Sequence, residues 1–154
     1  MIFPEVQELN STIRNMAEKD RDPVLEMMRT FYASPAVFTS GSEAIFEADI
    51  THCIQGSPYV EGYVFEYEGM IQGYAMVAKS YSTEFGKPCI WIEDLYIKDA
   101  YRGLGIGSAF LQYIRQKYPD AILRLEVEAE NERAVAVYRK CGFEELPYME
   151  MKRS

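Results

Sequence analysis

Residues 121–129, AILRLEVEA, alternate apolar and charged side chains, with Leu123, Leu125 and Val127 set against Arg124, Glu126 and Glu128. A period of two predicts a strand with one buried face. Residues 22–33 instead space Val24, Leu25, Met28 and Phe31 as a helix does, with Pro23 tolerated in the first turn. Before them, STIRNMAEKD (11–20) reads as a strand ending at an acidic cap. After them, SPA (34–36) interrupts, and a second helix fits 42–55, stopped by Gly56 and Pro58. Residues 59–80 predict two strands folded over a Glu68-Gly69 turn. YSTEFGKP is expected as a loop and CIWIEDLYI (89–97) as the third strand of the meander.

Beyond that strand a helix sets Ile106, Phe110, Tyr113 and Ile114 on one side. Asn131 is placed to cap a helix through NERAVAVYRK, with Gly142 a left-handed stop and Phe143 folding back. FEEL and YMEMK, separated by Pro147, close the chain as a final strand or hairpin. The order is roughly βααβββαβαβ(β), an α/β chain with a mixed central sheet flanked by helices. No linker, repeat or charge block divides residues 1–154, so a single domain is expected.

Composition narrows the function. The net charge of −8 disfavours a nucleic-acid partner. The three cysteines, Cys53, Cys89 and Cys141, show no close pairing, and His52 is the one histidine. A disulfide framework and a metal site are therefore not expected, and His52 reads as a plain helix residue. The opening MIFPEVQELN predicts no secretory leader, and no apolar run is long enough to span a membrane. A cytoplasmic location follows as an expectation.

The informative stretch is YIKDAYRGLGIGSAFLQYI (96–114), where Gly103, Gly105 and Gly107 stand between a strand and a helix, behind Arg102. Glycines let backbone approach a ligand closely, and the first N–H groups of a helix lack intrahelical partners. Successive amides and the helix dipole then make a site for phosphate or diphosphate, to which Arg102 adds a cation. A dinucleotide fingerprint would need glycine where Ser108 or Phe110 stands. A Walker loop would need a lysine, and none lies between Lys98 and Lys117. What remains is Arg-x-x-Gly-x-Gly: Arg102, Gly105 and Gly107.

With LYIKDAYRGLGIGSAFL followed by N131-ERA-VAVY138-RKCGF, the chain resembles the GNAT superfamily of N-acetyltransferases over residues 12 to 152. The resemblance implies acetyl-CoA as cosubstrate and no metal. Its diphosphate would be held by Arg102, Gly103, Leu104, Gly105, Ile106, Gly107 and Ser108. The pantetheine arm would run along the backbone of Leu95, Tyr96 and Ile97 where that strand splays from the next. Asn131, Ala134 and Tyr138 would line the other wall.

Acetyl transfer to an amine needs a base, an oxyanion donor and an acid for the leaving thiolate. Adjacent strand residues face opposite sides, so at most one of Glu93 and Asp94 points straight at the acceptor. The resemblance implies Glu93 as base through a water, Asp94 as helper, the N–H of Leu95 or Tyr96 as oxyanion donor, and Tyr138 as acid. Cys141 is the rival nucleophile, but a helix C-terminus is a poor place for an anion. Direct attack in a ternary complex is therefore expected.

The pattern IQGYAMV…IWIEDLYI…YRGLGIGS particularly resembles diamine (spermidine/spermine) acetyltransferases. Glu128 and the acidic surface fit a cationic small-molecule amine, with Tyr32 and Phe38 shaping its pocket. Glu130 stands where those enzymes tend to carry tryptophan, so amino acids, aminoglycosides and peptide or protein N-termini remain alternative acceptors. A non-enzymatic acyl-CoA sensor is the competing class. Family analogy leaves room for a homodimer and gives no reason to expect a membrane partner.

Overall fold

The computed structural model describes residues 11–154; the expectation drawn from MIFPEVQELN falls on residues 1–10, outside the described residues. Five strands form one sheet in chain order: β1 (Thr12–Asn15), β2 (Val60–Tyr67), β3 (Met70–Ser82), β4 (Lys87–Ile97) and β5 (Ile122–Leu125). The first four are antiparallel to their neighbours, and β5 runs parallel to β4. Helices α1 (Arg21–Tyr32) and α2 (Glu43–Ile54) lie between β1 and β2 in the chain. Helix α3 (Ile106–Lys117) makes the crossover that a parallel pair requires, and α4 (Glu132–Lys140) follows β5.

Two apolar clusters cover the two faces of the sheet. On one, Val24, Leu25 and Met28 of α1 and Phe46 and Ile50 of α2 pack against Val64, Tyr74, Met76 and Tyr96. On the other, Ile106, Phe110 and Ile114 of α3 meet Phe65, Val77, Ile90 and Ile92, with Tyr138 at the margin. The helical spacings seen in the sequence are thus the buried stripes of α1 and α3. Polar ties lock the first layer to the sheet. The Arg14 fork sits on both oxygens of the buried Asp20 at 2.8 and 2.9 Å, and its Nε donates to Glu66 at 2.6 Å. Burial pushes the Asp20 carboxyl up, but Arg14 and the Ala17 N–H together hold it below its usual value.

The expected Glu68-Gly69 turn is present, with both residues at positive φ (50° and 77°) as a tight hairpin requires. Four boundaries differ from expectation. The strand at 11–20 spans only Thr12–Asn15, and Glu18–Asp20 form a 3-10 turn before α1. Half of the expected loop YSTEFGKP is strand, because Tyr81 and Ser82 pair with Pro88 and Lys87, leaving a turn at 83–86. The strand at 121–129 stops at Leu125, because β5 pairs with β4 only from Cys89↔Ile122 to Ile92↔Leu125. The closing strand or hairpin does not form: residues 144–154 hold no strand. Pro147 removes a ladder donor there, Tyr148 is bonded to Glu84 in the β3–β4 turn, and Met149 and Met151 are exposed. The order is therefore βααβββαβα.

Gly73 occupies the middle of the sheet, opposite Ile97 and Phe65. A Cβ there would overlap the Tyr96 carbonyl oxygen and press on the Phe65 ring. Gly73→Ala is expected to destabilise the protein by about 1–3 kcal/mol, the usual cost of overpacking, read as a lowered midpoint in urea unfolding. An unchanged midpoint would mean that β3 and β4 do not approach this closely.

Candidate active site

Strand β4 breaks its own alternation immediately after its ladder with β5 ends. Met76 pairs with Asp94 while Val77 pairs with Ile92, so Glu93 is the extra residue of a β-bulge. A bulge adds a residue, bends the strand and re-aims side chains. Before it, Ile90 and Ile92 face the α3 side. After it, Asp94 faces the α1–α2 side, where it is 4% exposed and accepts hydrogen bonds from Tyr32 Oη at 2.9 Å and Tyr74 Oη at 2.6 Å. Simple alternation would have put Asp94 on the α3 side with Ile92.

Four carboxyls near the bulge have a raised proton affinity. Burial pushes Asp94 up to about 6, against the pull of its two phenol donors. Surrounding protein raises Glu93 too, with the Asp94, Glu150 and Asp49 carboxylates adding to it. Glu93 nonetheless stays accessible to solvent, so its neighbouring charges are the firmer cause. Asp49 on α2 is raised by burial, and Glu126, just beyond β5, is raised to about 7 chiefly by a hydrogen bond shared with Glu150.

Among the described residues, the backbone past the bulge has a free side. Lys98 N–H donates to the Gln72 carbonyl, so the register turns the Tyr96 N–H toward β3 as well. The N–H groups of Leu95 and Ile97 then face the opposite edge, which β5 no longer covers. Of the two expected oxyanion donors, Leu95 is therefore the one on the open edge. Tyr96 is occupied, its ring buried with α1 and α2. The Ile97 carbonyl accepts from Arg102 Nε at 2.9 Å.

The glycine stretch forms the other wall. Gly103 and Gly105 have φ of 78° and 84°, a left-handed region costly for other residues, and Gly105 precedes the first residue of α3. Among the described residues, no acceptor meets the N–H groups of Gly103, Leu104, Gly105, Ile106, Gly107 and Ser108. The Gly107 position is a Cβ-width from Leu95, whose Cδ2 would lie 3.9 Å from an added Cβ, so the helix mouth abuts the open strand edge. Arg102 is present but shared, its Nη1 paired with Asp99 at 2.7 Å. A second cation was not foreseen: Arg133 Nη2 lies 3.8 Å from where a Gly103 Cβ would stand.

Helix α4 closes the site. Asn131 caps it, Oδ1 accepting from Ala134 N–H at 3.3 Å. Gly142 (φ 96°) and the Phe143 N–H bond to the Tyr138 carbonyl end it as expected. Tyr138 packs edge-on against Phe143 at 6.0 Å. Burial, and then Cys141, push its phenol pKa up, so it is protonated at neutral pH. Cys141 Sγ lies 3.6 Å from Ser108 Oγ, tying α4 to the first turn of α3. A groove of about 1850 Å³ joins Leu104, Gly105 and Ser108 to Leu123, Leu125 and Tyr138; Glu93 is not one of its walls. Glu128 is exposed in the turn before α4, and its carbonyl accepts from the Asn131 N–H.

The sequence reading missed Tyr74, Asp49, Glu126, Glu150 and Arg133. Arg133 sits in the helix start that the sequence marked. Tyr74 carried no signal, since a tyrosine inside a strand reads as core.

The acetyltransferase (GNAT) family matches residues 25–143. Over 79 residues the chain is 38% identical to thialysine N-epsilon-acetyltransferase of Bos taurus, covering 49% of this chain and 46% of that protein. Over 84 residues it is 26% identical to spermine/spermidine N(1)-acetyltransferase of Bacillus subtilis (strain 168), covering 51% of this chain and 55% of that one. The chain spans about half the length of the curated relatives it matches. A possible acetyltransferase from Clostridium difficile 630 shares the fold with a TM-score of 0.79 at 19% identity, covering 94% of this chain and 97% of that one. AAC(6')-Iy, in complex with the bisubstrate analog CoA-S-monomethyl-acetylneamine, does so with a TM-score of 0.77 at 15% identity, over 94% and 97%. The family match covers most of the sequence, including the bulged strand, the glycine stretch and the capped helix, and the chain belongs to the acetyltransferase (GNAT) family.

Proposed function

We propose that the protein transfers an acetyl group from acetyl-CoA to a primary amine by direct attack in a ternary complex. The observation that carries this reading is the run of six partnerless amides, Gly103 to Ser108, abutting the open edge of β4. The first N–H groups of a helix lack intrahelical partners and carry the positive end of its dipole, so such a run suits an anionic ligand. Those amides, with Arg102 and Arg133 beside them, suit a diphosphate. The thioester supplies an activated acyl group once it is bound.

The chain's own groups then divide the work. The Leu95 N–H, free on the open edge, is placed to donate to the carbonyl oxygen as charge develops there. Glu93 takes the proton of the amine through a water as the C–N bond forms. Tyr138 gives its proton to sulfur as the C–S bond breaks. A raised pKa suits Glu93 to accept a proton, because a carboxylate of ordinary pKa is a weak base. The phenol is a poor acid by itself, so its part is a hydrogen bond that becomes a transfer as the thiolate forms.

The acceptor that fits is a small cationic amine. The charges of Asp94, Asp49 and Glu150 raise Glu93, and those of Glu150 and Glu93 raise Glu126, so these carboxyls lie within electrostatic reach. The named relatives act on thialysine and on spermine or spermidine, which are amines of that kind. Polyamines are accordingly the first acceptors to try.

The test is free-thiol release from acetyl-CoA across polyamines, thialysine, lysine, an aminoglycoside and a peptide N-terminus. Turnover is expected with at least one di- or polyamine, and Tyr138→Phe should lower kcat by about 10²-fold with little change in KM for acetyl-CoA. Coenzyme binding without thiol release on any amine would overturn the enzyme reading in favour of a sensor.

A second expectation follows from Asp94. Its carboxyl is raised to about 6 in the folded protein, above its ordinary value near 3.9. Such a group contributes stability below the unfolded pKa, and that contribution is lost as pH rises through the folded one. The native protein therefore holds an uncomfortable charge at neutral pH. Asp94→Asn should be at least as stable as wild type at pH 7.5, and the stability difference between them should change between about pH 4 and 6. Thermal midpoints across that range check this; a variant much less stable at pH 7.5 would contradict it.

A further inference from the structure

We propose that Tyr32 and Tyr74 are positioning residues for acetyl transfer: two phenols that clasp Asp94 and so fix the bulge presenting Glu93 and the Leu95 amide. This rests on the acetyltransferase reading above. Tyr32 is the last residue of α1 and Tyr74 lies at the centre of β3, so two separate elements converge on one carboxylate. Each phenol takes a different oxygen, Tyr32 the Oδ1 at 2.9 Å and Tyr74 the Oδ2 at 2.6 Å. Tyr74 is fully buried and Tyr32 half-buried, and their rings pack with Phe31, Phe46 and Tyr96. Neither hydroxyl is free to search for other partners.

The clasp sits at the one place where it can hold the bulge. Glu93 is the unpaired residue between Ile92 and Asp94, and Asp94 is the first residue returned to the ladder. Pinning the Asp94 side chain into the α1–α2 layer holds the strand in its bulged register. Slipping back would move Asp94 to the α3 face and leave both phenols without acceptors. The register also decides which amide faces the open edge, so the Leu95 N–H depends on the same contact.

A buried carboxylate held only by neutral donors is an unfavourable choice for stability alone, since apolar groups of that shape would serve as well. The other titratable groups facing it are Asp49 and the Cys53 thiol from α2 and its neighbour Glu93, and no cation pairs with it among the described residues. Nothing but the two phenols therefore favours its charged form. That form in turn adds to the proton affinity of Glu93. Removing a phenol should raise the pH at which Asp94 gives up its proton. Because Glu93 is the stronger base only while Asp94 is charged, the acid limb reports Asp94 and should move up with it.

The experiment measures thiol release against pH for Tyr32→Phe and Tyr74→Phe with the best amine at saturating acetyl-CoA. Each variant should keep KM for acetyl-CoA within a factor of about two and lose about tenfold in kcat, the worth of one charge-assisted hydrogen bond. The acid limb should move up by about one pH unit. In parallel, the Asp94 carboxyl ¹³C resonance, assigned with Asp94→Asn, should show its titration midpoint moving up in both variants. If the buried Tyr74→Phe does not fold, the half-buried Tyr32→Phe carries the test. Wild-type kcat and acid limb in a folded variant, or an unmoved ¹³C midpoint, would overturn the proposal. If wild type turns over no amine, the enzyme reading fails and the positioning role with it, whereas an unmoved midpoint in an active enzyme removes the clasp alone.

Discussion

The parallel ladder between β4 and β5 ends at Ile92 against Leu125, and β4 bulges at the next residue. Had the ladder continued, the Leu95 and Ile97 amides would be spent on β5 and the sheet would present nothing to a ligand. Because it ends, one strand edge stays open beside the mouth of α3. Gly107 packs beside the Leu95 side chain, which brings the first turn of α3 next to this strand. Tyr138 reaches that place through the Cys141–Ser108 contact, which ties α4 to the same helix turn. Every group assigned a chemical part is placed by this divergence or by a contact next to it.

Net charge and local field point in opposite directions here. The chain carries −8 overall, yet its glycine stretch is the place proposed for an anion. Surface charges are screened over about 8 Å at physiological salt, whereas amides in contact with a ligand act at hydrogen-bond distance. Six such amides and two guanidinium groups therefore outweigh a diffuse negative surface at that spot. The acidic residues that matter gather at the bulge, where a cationic acceptor would meet them. On the proposed function, an anion-binding mouth and a cation-facing bulge would lie a few residues apart along β4.

Much of this arrangement was legible in the residues. Val24, Leu25 and Met28, and Ile106, Phe110 and Ile114, are periodic because each helix buries one stripe, so both helices could be read directly. The glycine stretch was legible because positive φ and close approach demand that residue type. Asn131 and Gly142 were legible because capping depends on neighbours in sequence. The bulge was not. An inserted register step depends on pairing across strands, and WIEDLYI alone gives no sign of where it falls. Alternation alone therefore could not assign Asp94 to the α1–α2 face, nor give its partners Tyr32 and Tyr74. The end of β5 failed for the same reason, since its residues still alternate through Glu128 after their ladder partner has gone. The expected closing strand failed because alternation in YMEMK makes a segment able to pair without supplying a partner.

The most direct measurement is a calorimetric titration that compares coenzyme A with pantetheine, which lacks the diphosphate and the nucleotide. If the amides from Gly103 to Ser108 hold the diphosphate, coenzyme A should bind once per chain, and pantetheine should bind at least about 10²-fold more weakly, a difference of roughly 2.7 kcal/mol. Equal affinities for the two, or no heat with coenzyme A, would contradict the account at its centre.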